Sequence, residues 1–473
     1  MNNQNLKNFI INKKDNIIAA WKKTDKNAKY TVFVVDDDKK LVGVLTDGDI
    51  RRYLLKTGNL NVCVENIMNK KFTYANIKDS KSKLTKKFNK KNIIIPLIDD
   101  NFRVVDYFEY KINMHIPISV PNLGGNEFKY LMDAFLSTWI SSNGEYLRRF
   151  EDKFADYIGV KKGVAVSNGT VALHLALLAL DIKESDEVIV PDLTFAATIN
   201  AVLHANATPV IVDIEKDSWC IDPKEIKKAI TSKTKAIIPV HLYGQPCNMD
   251  EIMQIAKEYN LKVIEDCAEA HGAEFKGQKV GSFGDISCFS FFANKIITTG
   301  EGGMCLSNDE KLVLKMQILR DHGMSKEKKY WHECIGYNYR MTNLQGAIGL
   351  AQLERIDKIL KEKEKIETLY RSVFSSCKDI ELQKNDFNDR KKITWMISVL
   401  YKKNKDKLMQ KLTNNQIDTR PFFYPLSSMS IYKKYSFSNK NSQNISKAGL
   451  NFPTNKVVNI ELLEKIKECI DSV

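Results

Sequence analysis

GSFGDISCFSFFANKIITTGEGGM, residues 281–304, is the stretch on which the fold turns. Its first half holds Ile286-Ser-Cys-Phe-Ser290, a short apolar run of the β type. Its second half sets a single lysine, Lys295, between Phe291-Phe-Ala293 and the glycine-rich Gly300-Glu-Gly-Gly303. A lysine in apolar surroundings is uncommon, because its charge resists burial. Desolvation lowers the amine's pKa, which suits covalent attachment to a carbonyl group. The glycines let a ligand approach the backbone closely, and the Ser290 hydroxyl is placed to bond a phosphate near the same lysine. Taken alone, a surface lysine beside an ordinary glycine loop fits these residues as well.

Working outward, strand-like runs recur upstream at Glu187–Val190, Pro209–Asp213, Ala236–Val240 and Lys262–Asp266, with amphipathic stretches between them. That alternation predicts an α/β fold with a largely parallel sheet covered by helices. Asp266 closes its run, and the carboxyl ends of strands are where such sheets place ligands. A carboxylate there needs a cationic partner, for which a protonated pyridine nitrogen would serve; a cap for a following helix is the other reading. Ser167-Asn-Gly-Thr170 opens a helical segment, either as a phosphate-binding helix start or as an ordinary N-cap. Downstream, Leu350–Tyr370 predicts one long charged helix leading into a final α+β unit. The expected domains are residues 1–115, 116–365 and 366–473.

In combination these features resemble the DegT/StrS-type sugar aminotransferases, within the aspartate-aminotransferase fold (fold type I). Five motifs run in that family's order: SNGTVALHLAL (167–177), PDLTFAATINAV (191–202), VIEDCAEAHGA (263–273), residues 281–304, and GYNYRMTNLQGAIGLAQL (336–353). The resemblance implies pyridoxal 5'-phosphate as cofactor, attached to Lys295, with Asp266 on the pyridine nitrogen. It implies Gly169, Thr170 and Ser290 at the phosphate and Phe195 stacked on the ring. Glu269 stands near the ring hydroxyl, where many members have Gln. Asn338 is expected to reach the phosphate of a neighbouring subunit, which implies a homodimer with shared active sites.

PVHLYGQPCNMD (239–250), Lys329-Tyr-Trp331, IDTRPFFYP (417–425) and LNFPT (450–454) resemble one branch of the family. They imply GDP-4-keto-6-deoxymannose as acceptor and glutamate as donor, in polysaccharide biosynthesis. Trp331 and Arg420 are candidate substrate ligands, or else a packed tryptophan and a surface arginine. Three rivals stand beside this reading. One is an aminotransferase for a UDP- or GDP-linked 4-keto-N-acetyl sugar in a nonulosonic acid pathway. Another is a sugar dehydratase, whose relatives carry His where this chain has Lys295. The third is a non-enzymatic nucleotide-sensing regulator.

The first 115 residues have a different texture. Tyr30–Val35, the turn at Asp36–Lys40 and Leu41–Leu45 read as a hairpin, followed by a helix over Asp49–Leu55. Ile93–Ile98, Asp99–Asn101 and Arg103–Val105 echo it and predict an internal repeat. Gly43-Val-Leu-Thr-Asp-Gly-Asp49 resembles a CBS domain, so the segment reads as a CBS pair. The resemblance implies that Thr46 meets a nucleotide phosphate and Asp49 its ribose. The second copy has Asp106, Glu109 and Ile112 at the pattern's Gly, Thr and Asp positions, so one purine nucleotide per pair is expected, or a module that only packs.

Residues 1–115 hold 23 Lys and Arg against 13 Asp and Glu; the remainder holds 49 against 45. Most of the net charge of +14 therefore lies in the first segment. Its lysines lack interleaved aromatics and read as a solvated face, not a nucleic-acid site. The nine cysteines and seven histidines show no metal-ligand spacing, so no metal is expected. No run approaches the roughly 18 apolar residues of a membrane span. MNNQNLKNFIINKKDN lacks an export signal's apolar region, and a cytoplasmic location is expected.

Overall fold

The computed structural model describes residues 6–27, 29–79, 87, 94–109 and 115–473. The chain divides into two compact units, Met1–His115 and Ile116–Val473. Among the described residues no helix is long and apolar enough to cross a membrane.

The first unit is a repeat. Strands Ile10–Asn12, Thr31–Val35 and Leu41–Thr46 form a sheet in that order, its first pair parallel and its second antiparallel. Ala75–Asn76, Ile94–Ile98 and Val104–Glu109 form another with the same order and directions. The likeness reaches the side chains. Lys14 pairs with Asp37 at 2.6 Å in the first copy, and Lys78 with Asp100 at 2.6 Å in the second. Asp15 accepts the Asn12 N–H, and Asp79 the Asn76 N–H, each at 3.1 Å. Phe9, Phe33 and Leu41 share one core with Ile94 and Ile98, so the two copies bury each other's apolar faces. Ile112 lies outside the described residues.

The second unit is built on a seven-stranded sheet. Its spatial order is Lys162–Val166, Gly303–Ser307, Ile286–Ser290, Lys262–Asp266, Thr234–Ile237, Glu187–Pro191 and Thr208–Val212. All pairs are parallel except those made by Gly303–Ser307, which runs against both neighbours. Every residue of Ile286–Ser290 is buried, as in a strand covered on both faces, and the buried Ser287 hydroxyl is satisfied by donating to the Gly281 carbonyl at 2.7 Å. Glu265, beside Asp266, accepts N–H bonds from Gly281, Phe283 and Gly284 and a contact from His241, so its two oxygens are fully used. This anchors the 281–284 turn ahead of the strand. Gly284 is needed there, since a Cβ would lie 2.7 Å from the Val263 carbonyl oxygen.

The predicted single helix over Leu350–Tyr370 is two helices, Asn343–Leu353 and Ile356–Phe374. The break falls at Glu354–Arg355. Glu354 accepts bonds from Asn126 and Tyr130, and the Arg355 guanidinium bonds the Asn122 carbonyl and pairs with Glu127. These long-range contacts interrupt a run of good helix formers, so local propensity could not show it. Ile356–Phe374 then carries the chain into a second core, where Ile366, Tyr370 and Phe374 pack on the four-stranded sheet that includes Ile397–Tyr401 and Gly449–Phe452. Ile116 belongs to this same core.

Candidate active site

The carboxyl ends of the parallel strands surround a cavity of about 610 Å³. Gly169, Thr170, Phe195, Asp266, Glu269, Ser290 and Lys295 all line it. These residues come from four separate segments, and the sheet brings them to one edge.

The wall at residues 167–170 follows from close packing. Asn168 caps helix Gly169–Ala179, its side chain accepting the Val171 N–H at 3.0 Å. The Gly169 and Thr170 N–H groups belong to the helix's free first turn and suit an anion. A Cβ on Gly169 would stand 2.8 Å from the Ser290 Cβ, and one on Gly303 2.5 Å from the Asn168 carbonyl oxygen. Both glycines are therefore required for the turn to lie against the two strands.

Asp266 is buried at the end of its strand. No helix follows it. One oxygen accepts the Thr198 hydroxyl at 2.9 Å and the other the Ala268 N–H at 3.2 Å. Burial pushes its pKa up, opposed by these bonds and by Lys295. Such a carboxylate favours a cationic ring nitrogen beside it. Burial likewise lowers the pKa of Lys295, while Glu269 and Asp266 raise it. The Lys295 amine lies 3.7 Å from Glu269 Oε1 and 4.1 Å from the Trp395 ring centroid. The indole N–H of Trp395 donates to the Asn294 carbonyl at 2.8 Å and so fixes the ring. These donors, acceptors and close backbone approaches fit pyridoxal phosphate: a helix start and a serine for the phosphate, a buried carboxylate for the ring nitrogen, and a desolvated amine.

The remaining predicted residues stand elsewhere. Asn338 does not line the cavity; its side-chain Oδ1 accepts from the Arg340 Nε–H at 3.0 Å. Trp331 is 56% exposed, with the Lys328 amine 4.3 Å from its ring centre, and Arg420 is exposed and paired with Asp418 at 3.2 Å. Thr46 and Asp49 line a cleft of about 500 Å³ with Arg52, Asn69 and Phe72. There they form a capping box, with Arg52 on Asp49 at 2.7 Å.

Thr198, Trp395, Tyr243 and Phe423 were not singled out from the sequence. Thr198, Tyr243 and Phe423 lie within quoted motifs, but nothing in their spacing shows that Thr198 meets Asp266, that Tyr243 donates to Glu269 or that Phe423 stands 5.8 Å from Phe195. Trp395 reaches the site from the far end of the chain.

This chain belongs to the DegT/DnrJ/EryC1/StrS aminotransferase family, which matches residues 121–471. It is a pyridoxal-phosphate-dependent aminotransferase, as that family is. Residues 6–56 match the CBS domain. The chain is 46% identical over 342 residues to the GDP-perosamine synthase of Escherichia coli O157:H7, covering 72% of this chain and 93% of that one. It is 44% identical over 363 residues to the GDP-perosamine synthase of Vibrio cholerae, covering 75% and 98%. Among solved structures, a candidate sugar aminotransferase from Streptococcus pneumoniae in its PLP form has 28% identity and a TM-score of 0.71, covering 76% of this chain and 99% of that one.

Proposed function

We propose that the chain aminates the 4-keto group of GDP-4-keto-6-deoxymannose, giving GDP-perosamine with glutamate as donor. The observation that carries the reading is the gathering of Lys295, Asp266 and the Gly169–Thr170 helix start around one cavity, in a chain 46% identical to a GDP-perosamine synthase.

When bound, pyridoxal phosphate supplies the electron sink for carbanion chemistry. In our reading Lys295 is its covalent anchor, and Asp266 keeps the ring nitrogen protonated. Thr198 holds that carboxylate in place. Gly169, Thr170 and Ser290 bind the phosphate, Phe195 covers the ring, and Glu269 faces its hydroxyl. Once free, the Lys295 amine takes a proton from the donor's Cα, and in the second half-reaction returns one to the sugar carbon that becomes amine-bearing.

The reading includes a homodimer in which Asn338 serves the neighbour's phosphate site; its position away from its own cavity supports this. Phe128, Leu136 and Trp139 are exposed apolar side chains suited to burial between copies. Trp331 and Arg420 are assigned to the sugar nucleotide. At the CBS-like unit we assign a purine nucleotide, with Thr46 on its phosphate and Asp49 on its ribose. Nine unbridged cysteines suit a cytoplasmic enzyme.

The test is a panel of GDP- and UDP-linked 4-keto sugars offered with glutamate to the purified protein. Amination of GDP-4-keto-6-deoxymannose is expected to dominate. Preference for a 4-keto-N-acetyl sugar would replace this substrate with the nonulosonic acid type, and turnover of none would overturn the reading.

A further inference from the structure

Tyr243 occupies the left-handed region, at φ 52° and ψ 29°, although it is neither glycine nor asparagine. It is fully buried, and Gly244 follows at φ 86° against the Ile393 carbonyl. Such a conformation persists only where the surroundings impose it. Its consequence is local: the Tyr243 N–H points at Glu269 and donates to Oε2 at 2.9 Å. The other oxygen, Oε1, is thereby left facing the Lys295 amine at 3.7 Å. The Trp395 ring centre lies 4.1 Å from the same amine, and its face also favours a cation.

We propose that Glu269 is the proton partner of Lys295, a carboxylate aimed by the Tyr243 turn to keep the amine's proton inside the site whenever the lysine is not covalently engaged. The proposal rests on Lys295 being the cofactor's anchor. In the forward step an N–H bond of the ammonium breaks and an O–H bond forms on Glu269 Oε1; the reverse step restores the ammonium. The pair's net charge is unchanged, and no other reactant is needed. The lysine's flexible side chain can close 3.7 Å to hydrogen-bonding distance, a tightening common when a site fills.

The charged and titratable groups around the pair are few. Lys295 faces Glu269, Asp266 and His271; Glu269 also faces Asp266 and the Tyr243 phenol, and Asp266 faces His241. Burial holds His271 down at about 3, so it is a neutral ring, and burial holds the Tyr243 phenol in its neutral form. Burial raises the carboxyl of Glu269 to about 7 against the pull of Lys295, and burial lowers the amine of Lys295, so the two groups are shifted toward each other. Asp266 is committed to the ring nitrogen in our reading. Both Asp266 oxygens are also taken by Thr198 and Ala268, whereas Glu269 Oε1 stands 3.7 Å from the amine, so Glu269 holds the lysine's proton when the ring hydroxyl does not face it.

The test uses apoprotein and free pyridoxal phosphate, following the association rate by absorbance across pH, since only the unprotonated amine attacks the aldehyde. A carboxylate beside an ammonium raises its pKa, so Glu269→Gln is expected to move the midpoint down by about 1 unit or more. Glu269→Asp, which keeps the charge, is expected to fall between the two. A Glu269→Gln profile that superimposes on wild type, or shifts upward, overturns the proposal. Lys295→Ala is the separate control: an adduct that still forms there refutes the anchor itself. Should the Gln variant fold poorly, the ¹³Cε resonance of Lys295 in wild-type apoprotein decides the matter. A titration in two coupled steps, one near neutrality, supports the pair; a single step at an ordinary lysine value refutes it.

Discussion

Asp266→Asn separates charge from shape at the site. The carboxylate accepts the Ala268 N–H at one oxygen and the Thr198 hydroxyl at the other. Asn keeps the first bond through its carbonyl oxygen. Its amide then faces the Thr198 hydroxyl, which can turn to accept, because Thr194 Oγ1 lies 3.1 Å away as an alternative partner. The fold should therefore tolerate the change, and what disappears is the negative charge beside the ring nitrogen. A charge-assisted contact is worth roughly 1.5–3 kcal/mol, which converts to a loss of roughly 10- to 150-fold in kcat. The assay is a single-turnover reaction with glutamate, followed by cofactor absorbance. Stability offers a second measurement of opposite sign. Burial raises the Asp266 pKa in the apoprotein, so folding is favoured by this group at low pH and that advantage is lost as pH rises through the raised value. At pH 7 the apo Asn variant should melt above apo wild type, and the cofactor-bound variant below its wild-type counterpart. Near-wild-type kcat in the variant would refute the assignment.

Other outcomes follow from the same geometry. Lys295→Ala should remain folded and lose multiple-turnover activity; a substantial steady-state rate would show that another group is the anchor. Gly169→Ala pushes a Cβ to 2.8 Å from that of Ser290, so cofactor affinity should fall at least about tenfold by equilibrium titration. Glu367 is buried, which alone would raise its pKa, but Lys392 at 2.8 Å, Thr394 and Arg371 outweigh this and hold it at about 2. Its contribution to stability is thus present above the usual carboxyl range near 4.5 and lost as pH falls from there to about 2. Glu367→Gln should cost on the order of 3 kcal/mol in urea unfolding at pH 7, and much less at pH 2. A chain beginning near residue 116 should keep activity at saturating substrate. Calorimetry with adenosine and guanosine nucleotides on the full chain, beside Asp49→Ala, should show binding that the variant lacks.

The alternation of strands and helices, the run Ile286–Ser290 and the strand ending at Asp266 were legible in the sequence because each reports a local periodicity. The repeat in the first unit was legible for the same reason, down to its two aspartate turns. Seven residues around the cavity came from motifs, which carry chemistry in their spacing. Other features belong to tertiary structure alone. The break between Leu353 and Ile356 is made by Asn122, Asn126 and Glu127, more than 200 positions away, acting on helix-favouring residues. The antiparallel strand Gly303–Ser307 is hidden behind the glycines that precede it. The partners that aim the charged groups, Thr198 on Asp266, Tyr243 on Glu269 and Trp395 over Lys295, leave no local mark. A hydrogen bond or ring contact between segments costs its residues no particular spacing. Only the closing of the sheet edge brings them within reach of one another.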